Sequence, residues 1–304
     1  MLCTIQFPAA WVTTIKLDEV LAQSGGPHSP QFSSVTFKFP SGCKIMIDAV
    51  VRILSVANQL MFSNKQVRLV FNEKPNGIMG YLDRMGFFDY LDEAVEVLPY
   101  RPNDSTADAF RGKNIDLVEI AGIDRNNRDR NIVPRMADTL SRRIPDSSKN
   151  ESFGNAFYIV LGELIGNIYR HCEIDLNGFA ALQTYKLSNR ITIAVSDSGP
   201  GIIETLRPVL SSEYPKLTNL TDSQLMKEIF SKGLSRFGDD NGGTGLFSCG
   251  RVAKKYNASI EVRQNCSRFN IIAANGKLKT TKTIDNQPNV WGTHISYNFD
   301  VDMQ

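Results

Sequence analysis

Apolar residues along this chain switch between two spacings, and the switches mark its elements. Residues 34–39 alternate apolar and polar, as a half-buried strand does, and Pro40 with Gly42 closes the run. From 47 to 62 the spacing lengthens to threes and fours: Ile47, Val50, Val51, Leu54, Ala57, Leu60 and Met61 share one helical face. Residues 67–71 return to strand spacing, and 78–85 form a short helix stopped by Gly86. Strand, helix, strand and helix within so short a span predict a small α/β unit with a mostly parallel sheet. Residues 1–31 give no clear pattern beyond a loop at 24–30.

The chain turns polar at 98–109, resumes as a strand at 115–123, and offers a helix at 132–144. A strong helical pattern follows at 153–172, then strands at 179–186 and 190–197 around a tight turn. Short helices are expected at 202–210 and 222–230, a further helix from Leu246, and strands at 259–264, 269–274 and 291–299. Helices and strands mix without strict alternation, so the second part reads as α+β, with helices on one face of a mixed sheet. Two domains are expected, 1–125 and 126–304.

Composition narrows the function classes. Of 304 residues, 42% are hydrophobic and 22% charged, ordinary for a globular chain with a full core. A net charge of +2 gives no sign of a nucleic-acid or membrane-surface partner. No apolar run approaches the roughly 20 residues that span a bilayer, and the start of the chain lacks the pattern of a secretory signal. The five cysteines are scattered, without a Cys/His cluster, so neither a zinc site nor a disulfide framework is expected. A reducing cytoplasm fits that usage.

Three stretches carry chemistry. In the 153–172 helix, Glu163 and Asn167 lie one turn apart on the face continued by Arg170 and His171. A carboxylate can take a proton from water, an amide oxygen suits Mg²⁺, and a cation meets phosphate. Gly162 and Gly166 each cost about 1 kcal/mol against alanine in mid-helix, which suggests close packing against that face. Next, a strand ends in Asp197-Ser198-Gly199-Pro200-Gly201, a D-x-G-x-G turn with a carboxylate for an exocyclic amine and glycines that leave room for a flat ring. Last, a glycine-rich loop through Gly243, Thr244 and Gly245 runs into the helix that begins at Leu246. Bare backbone and a helix N-terminus make an anion site.

The order E-x-x-x-N, D-x-G-x-G, then G-x-G-L before a helix resembles the GHKL ATPases, the nucleotide domains of gyrase B, heat-shock chaperones, histidine kinases and MutL. The match covers roughly residues 130–300. The resemblance implies a two-layer α/β sandwich that binds ATP with Mg²⁺. Glu163 becomes the general base and Asn167 the Mg²⁺ ligand. Asp197 holds the adenine amine beside Gly199 and Gly201, Thr293 belongs to the adenine side, and Arg170 and His171 lie along the nucleotide. Residues 230–245 become a mobile lid, with Lys232 and Arg236 as phosphate contacts alongside Gly243, Thr244, Gly245 and Leu246. Phe247 stands where histidine kinases repeat a glycine, and the three histidines (His28, His171, His294) include no phosphoacceptor on a dimerisation helix.

The first part, through 67–71 and 81–88, is similar to STAS-like domains, whose acceptor serine falls near Ser41. The combined expectation is an ATP/ADP-binding signalling protein that hydrolyses ATP and uses its lid to gate a protein partner, with a homodimer allowed. Two alternatives stand beside it: a serine/threonine kinase like the anti-sigma-factor kinases, and a nucleotide-gated binding module without turnover.

Overall fold

The computed structural model describes residues 1–72, 77–102, 106–110, 117–141, 147–235 and 244–300. The first part runs β1 (Leu2–Gln6), β2 (Trp11–Val12), α1 (Thr14–Gln23), β3 (Ser34–Phe39), β4 (Lys44–Ile45), α2 (Ile47–Phe62), β5 (Gln66–Phe71), α3 (Ile78–Arg84), α4 (Phe87–Tyr90), β6 (Glu96–Leu98) and α5 (Ala107–Phe110). The second begins with β7 (Leu117–Ile123), α6 (Ile132–Ser141), α7 (Ser147–His171), β8 (Gly178–Tyr185), β9 (Arg190–Ser196), α8 (Ile202–Leu206) and α9 (Leu210–Glu213). It ends with α10 (Asp222–Lys232), α11 (Thr244–Tyr256), β10 (Ser259–Asn265), β11 (Ser267–Ala274), β12 (Lys277–Ile284) and β13 (Val290–Asp300).

Two principal sheets organise these elements. The first is four-stranded, in the order β1-β3-β5-β6, with every pairing parallel, as the strand–helix alternation predicts. The second has seven strands in the order β12-β11-β10-β13-β9-β8-β7. The molecule is thus α+β, but this second sheet corrects an expectation. Its pairings are all antiparallel rather than mixed. Short turns join β8 to β9, β10 to β11 and β11 to β12, while β9 and β10, which run the same way on either side of β13, are joined across the sheet face through α8–α11. Strand β7 lies in the stretch assigned to the first domain, yet it pairs with β8 at the edge of the seven-stranded sheet.

A second correction concerns how that sheet is covered. One face carries α7, α10 and α11, whose Phe157, Leu161, Leu164, Phe230 and Cys249 join Val262 and Tyr297 in a core. The other face is covered too, by the first part of the chain. Phe179, Ala181, Ala194 and Val290 of the seven-stranded sheet pack in one cluster with Leu54, Ala57 and Leu60 of α2. Helix α2 therefore lies between the two sheets, and twelve of its sixteen residues are buried. A helix enclosed on both sides must be apolar nearly all round. The sequence shows this in Ile53 and Val56, which lie off the face expected to face inward.

Three polar residues of α2, Arg52, Ser55 and Gln59, are buried as well, and each has a hydrogen-bond partner. Arg52 donates to Asp18 of α1 at 2.9 Å and pairs with Glu261 of β10 at 3.3 Å. The same Asp18 accepts from Arg263 at 3.1 Å and from Arg268 at 3.2 Å. Three guanidinium groups from three elements thus close on one carboxylate that is 2% exposed. Desolvating such charges is costly unless every one is paired, and that requirement fixes how α1 and α2 seat on β10 and β11. At the other end of α2, the backbone N–H of Ile47 donates to Tyr185 Oη of β8 at 2.9 Å.

Candidate functional site

The open end of the α7 face forms a cleft of about 350 Å³ between α7, α8, α10 and α11 and the strands β9 and β13. Its wall brings together Glu163, Asn167, Arg170, His171, Asp197, Thr244, Gly245, Leu246 and Thr293. Residues from four separated stretches of sequence meet there. Leu164, Val195, Ile202, Leu206 and Ile295 give the cleft an apolar wall.

Asp197 is placed by two strands. Its own N–H donates to Thr293 O at 3.0 Å, which ties the end of β9 to β13. Its Oδ1 accepts from Gly199 N at 2.9 Å and from Thr293 N at 3.1 Å. Among the described residues no hydrogen bond reaches Oδ2. Burial raises the carboxyl to about 6, and the N–H groups of Thr293 and Gly199 limit the rise. The neighbouring strand approaches so closely that a Cβ at Gly292 (φ +86°) would stand 1.8 Å from Asp197 O. Only glycine fits there, in conformation and in space.

The rest of the D-x-G-x-G turn is wedged from two sides. A Cβ at Gly199 would lie 2.9 Å from Cys172 Cα, so the turn rests directly on the end of α7. Ile202 N donates to the buried Gln264 Oε1 at 2.8 Å, which holds the start of α8 against β10. Gly199 and Gly201 thus pack backward, and Pro200 between them faces the cleft.

On α7, Arg170 folds back along the helix. Its Nη2 donates to Asn167 Oδ1 at 3.0 Å and lies 3.4 Å from Glu163 Oε2. This corrects the reason for the helical glycines. Nothing comes within 4 Å of a Cβ built at Gly162, and at Gly166 the nearest atom is Arg170 Nη2 at 3.3 Å. Gly166 clears the path of its own arginine rather than admitting a packed neighbour.

Helix α11 starts at the cleft. A Cβ at Gly245 would meet Glu163 Oε2 at 2.5 Å, so the carboxylate lies against the first turn of α11. Farther along, a Cβ at Gly250 would stand 1.9 Å from Phe230 O, so α10 and α11 meet backbone to side with no room for a methyl group. Lys232 does not line the cleft; its Nζ pairs with Glu228 at 2.7 Å on the outer side of α10. Gly243 and Arg236 lie outside the described residues, as does half of the 230–245 stretch read as a lid. Phe247 sits beneath the Arg251 guanidinium, 6.0 Å from ring centroid to cation.

Sequence reading missed Gln264 and Gly250, and it placed the Trp291–Thr293 stretch in a strand like the family's closing one without foreseeing the contact of Gly292 with Asp197. That contact is the one it could have found, because a Trp-Gly-Thr step inside a strand marks a close backbone approach. Gln264 carries no such signal.

The cleft suits a nucleotide in three respects. Asp197 Oδ2 is an acceptor at the end of an apolar wall, as an adenine amine needs. Asn167 carries a hard amide oxygen on the cleft wall, the kind of atom a divalent cation takes, and Arg170 Nη2 bonds it here. Glu163 faces the same space. No helix among the described residues is long and apolar enough to cross a membrane.

No family model matches the chain, and no curated protein matches it. Among solved structures it is similar to the B subunit of DNA gyrase from Myxococcus xanthus, at 10% identity and a TM-score of 0.29. The match covers 56% of this chain and 43% of that one, so the chain spans less than half of that subunit's length. A likeness this loose says nothing about chemistry.

Proposed function

We propose that the protein binds ATP in this cleft as a GHKL-type nucleotide-binding protein and hydrolyses it slowly with Mg²⁺. The observation that carries the reading is the convergence of Glu163, Asn167, Asp197 and the first turn of α11 on one cavity. Asp197 Oδ2 accepts from the adenine amine, and the apolar residues of the wall lie along the ring. The first turn of α11 and Arg170 face the phosphates. Asn167 would hold Mg²⁺, which would supply positive charge to offset that developing on the phosphates. Glu163 takes the proton of the attacking water as its oxygen bonds to the terminal phosphorus and ADP leaves.

We read the first part as STAS-like, a reading that its parallel sheet supports. It would meet a protein partner whose binding the 230–245 segment gates. The experiment is a pair of variants assayed for binding and turnover. Glu163→Gln should bind ATP as the parent does, while phosphate release falls by about 10²-fold or more. Turnover that survives in this variant would overturn the role of Glu163. Labelled ATP resolves the fate of the phosphoryl group: label on a partner protein rather than in free phosphate identifies a kinase.

A further inference from the structure

The back of the cleft is held by the first part of the chain. Gln59 of α2 is fully buried, and its Nε2 donates to Ser198 Oγ at 3.0 Å and to Trp291 O at 3.1 Å. Ser198 follows Asp197, and Trp291 precedes Gly292 and Thr293. One side chain thus ties together the two segments whose contact orients the Asp197 carboxylate. One turn earlier on α2, Ser55 Oγ lies 2.7 Å from Ser196 Oγ, which also bonds His294 Nδ1. Ser196 and His294 are register partners in β9 and β13, on the far sides of Asp197 and Thr293. Two polar side chains of a largely buried helix therefore meet the sheet beside the Asp197 end of the cleft.

We propose that Gln59, with Ser55 behind it, is a positioning residue of the nucleotide site: it sets the 197–199 turn against the 291–293 strand and so sets the aim of Asp197. The inference rests on the ATP reading for its ligand but not for its geometry. If Gln59 lets the 197–199 turn drift, the cost falls on recognition of the base. Discrimination between adenine and guanine depends on where the Asp197 acceptor points.

The test compares Gln59→Leu with Leu54→Ala, a variant buried in the same helix on a face turned about 140° from Gln59. Each is titrated with ATP and GTP, melted, and followed by amide hydrogen exchange without nucleotide. Gln59→Leu should lower the ATP-over-GTP affinity ratio by about tenfold, the weight of a hydrogen bond or two. It should also speed exchange across 197–202 and 290–294 while β3 stays protected. Leu54→Ala should lower the unfolding midpoint and leave the ratio unchanged. Restoring the amide one methylene shorter, as Gln59→Asn, should recover less of the ratio than the parent shows. Unchanged exchange in Gln59→Leu, or an equal change of the ratio in Leu54→Ala, overturns the proposal. A parent that binds no ATP while Gln59→Leu still loosens the two segments instead overturns the nucleotide reading alone.

Discussion

Two demands meet at Asp197: the fold buries the carboxyl, and the proposed ligand needs it ionised. Burial raises it from 3.8 to about 6. The sign follows from linkage. The folded chain holds this proton more tightly than the unfolded chain, so the group's contribution to stability is complete below about pH 4 and is lost as pH rises through about 6. Binding runs the other way, since a protonated carboxyl no longer attracts the amine as an anion. ATP affinity should therefore fall as pH drops through about 6, and titration calorimetry at several pH values will show it. Asp197→Asn should bind ATP about tenfold more weakly and lose that pH dependence. A persistent dependence would assign the titration to another group. Gly292 is the second residue-scale case. In Gly292→Ala the methyl group meets Asp197 O, so the β9–β13 contact must open. A loss of at least about 3 kcal/mol in chemical denaturation is expected. Asp197 is legible in sequence because a carboxylate before two spaced glycines is a recognisable turn. Gly292 is harder to see because its reason is a neighbouring strand 95 residues earlier, at Asp197.

Among elements, α2 decides the most. Its span is legible from period alone, and the structure matches it at Ile47–Phe62. Its environment is not, because an apolar face tells which side is buried but not that a second sheet covers the opposite side. The same limit explains β1 and α1, which short and irregular flanks obscure, and β12, whose Lys277–Ile284 run of lysines and threonines offers no strand pattern but pairs with β11 at the edge of the sheet. Lysine on an edge strand guards against further pairing. The buried ion cluster is invisible in sequence, since Asp18 lies 34 residues from Arg52 and 245 from Arg263. Asp18→Ala would leave three buried cations without their shared anion. Such a change costs about 3–5 kcal/mol, and urea unfolding should show that loss with little change in slope. A drop under 1 kcal/mol, about the worth of a surface pair, would mean that water reaches the cluster.

At the scale of the whole molecule, the layers run from the parallel sheet through α2 to the antiparallel sheet and then to α7, α10 and α11. The second sheet belongs to both cores, as Phe179 and Ala181 face α2 while Ala180 and Leu182 face the α7 side. Alternation along β8 thus serves two cores, and that is why β8 reads as almost continuously apolar. Sharing of this kind should make unfolding a single event. Calorimetry is expected to give one transition with matching calorimetric and van't Hoff enthalpies. A fragment of residues 126–304 should aggregate, because it lacks β7 and bares the face that α2 covers. Two separated transitions, or a fragment that stays monomeric, would show that the halves are independent. The α+β class and the stretches that build the cleft were legible because each is a local pattern. The dependence of one half on the other was not, because it is written in pairings between distant side chains.

Arg170 has one more consequence. Its guanidinium already stands on the ground between the amide at 167 and the carboxylate at 163, so a bare divalent ion arriving there meets a resident of like sign. Magnesium can settle only if it comes as part of a negatively charged package that draws the arginine toward itself. Manganese followed by its paramagnetic signal should thus stay free in the presence of protein alone and become immobile when nucleotide is added.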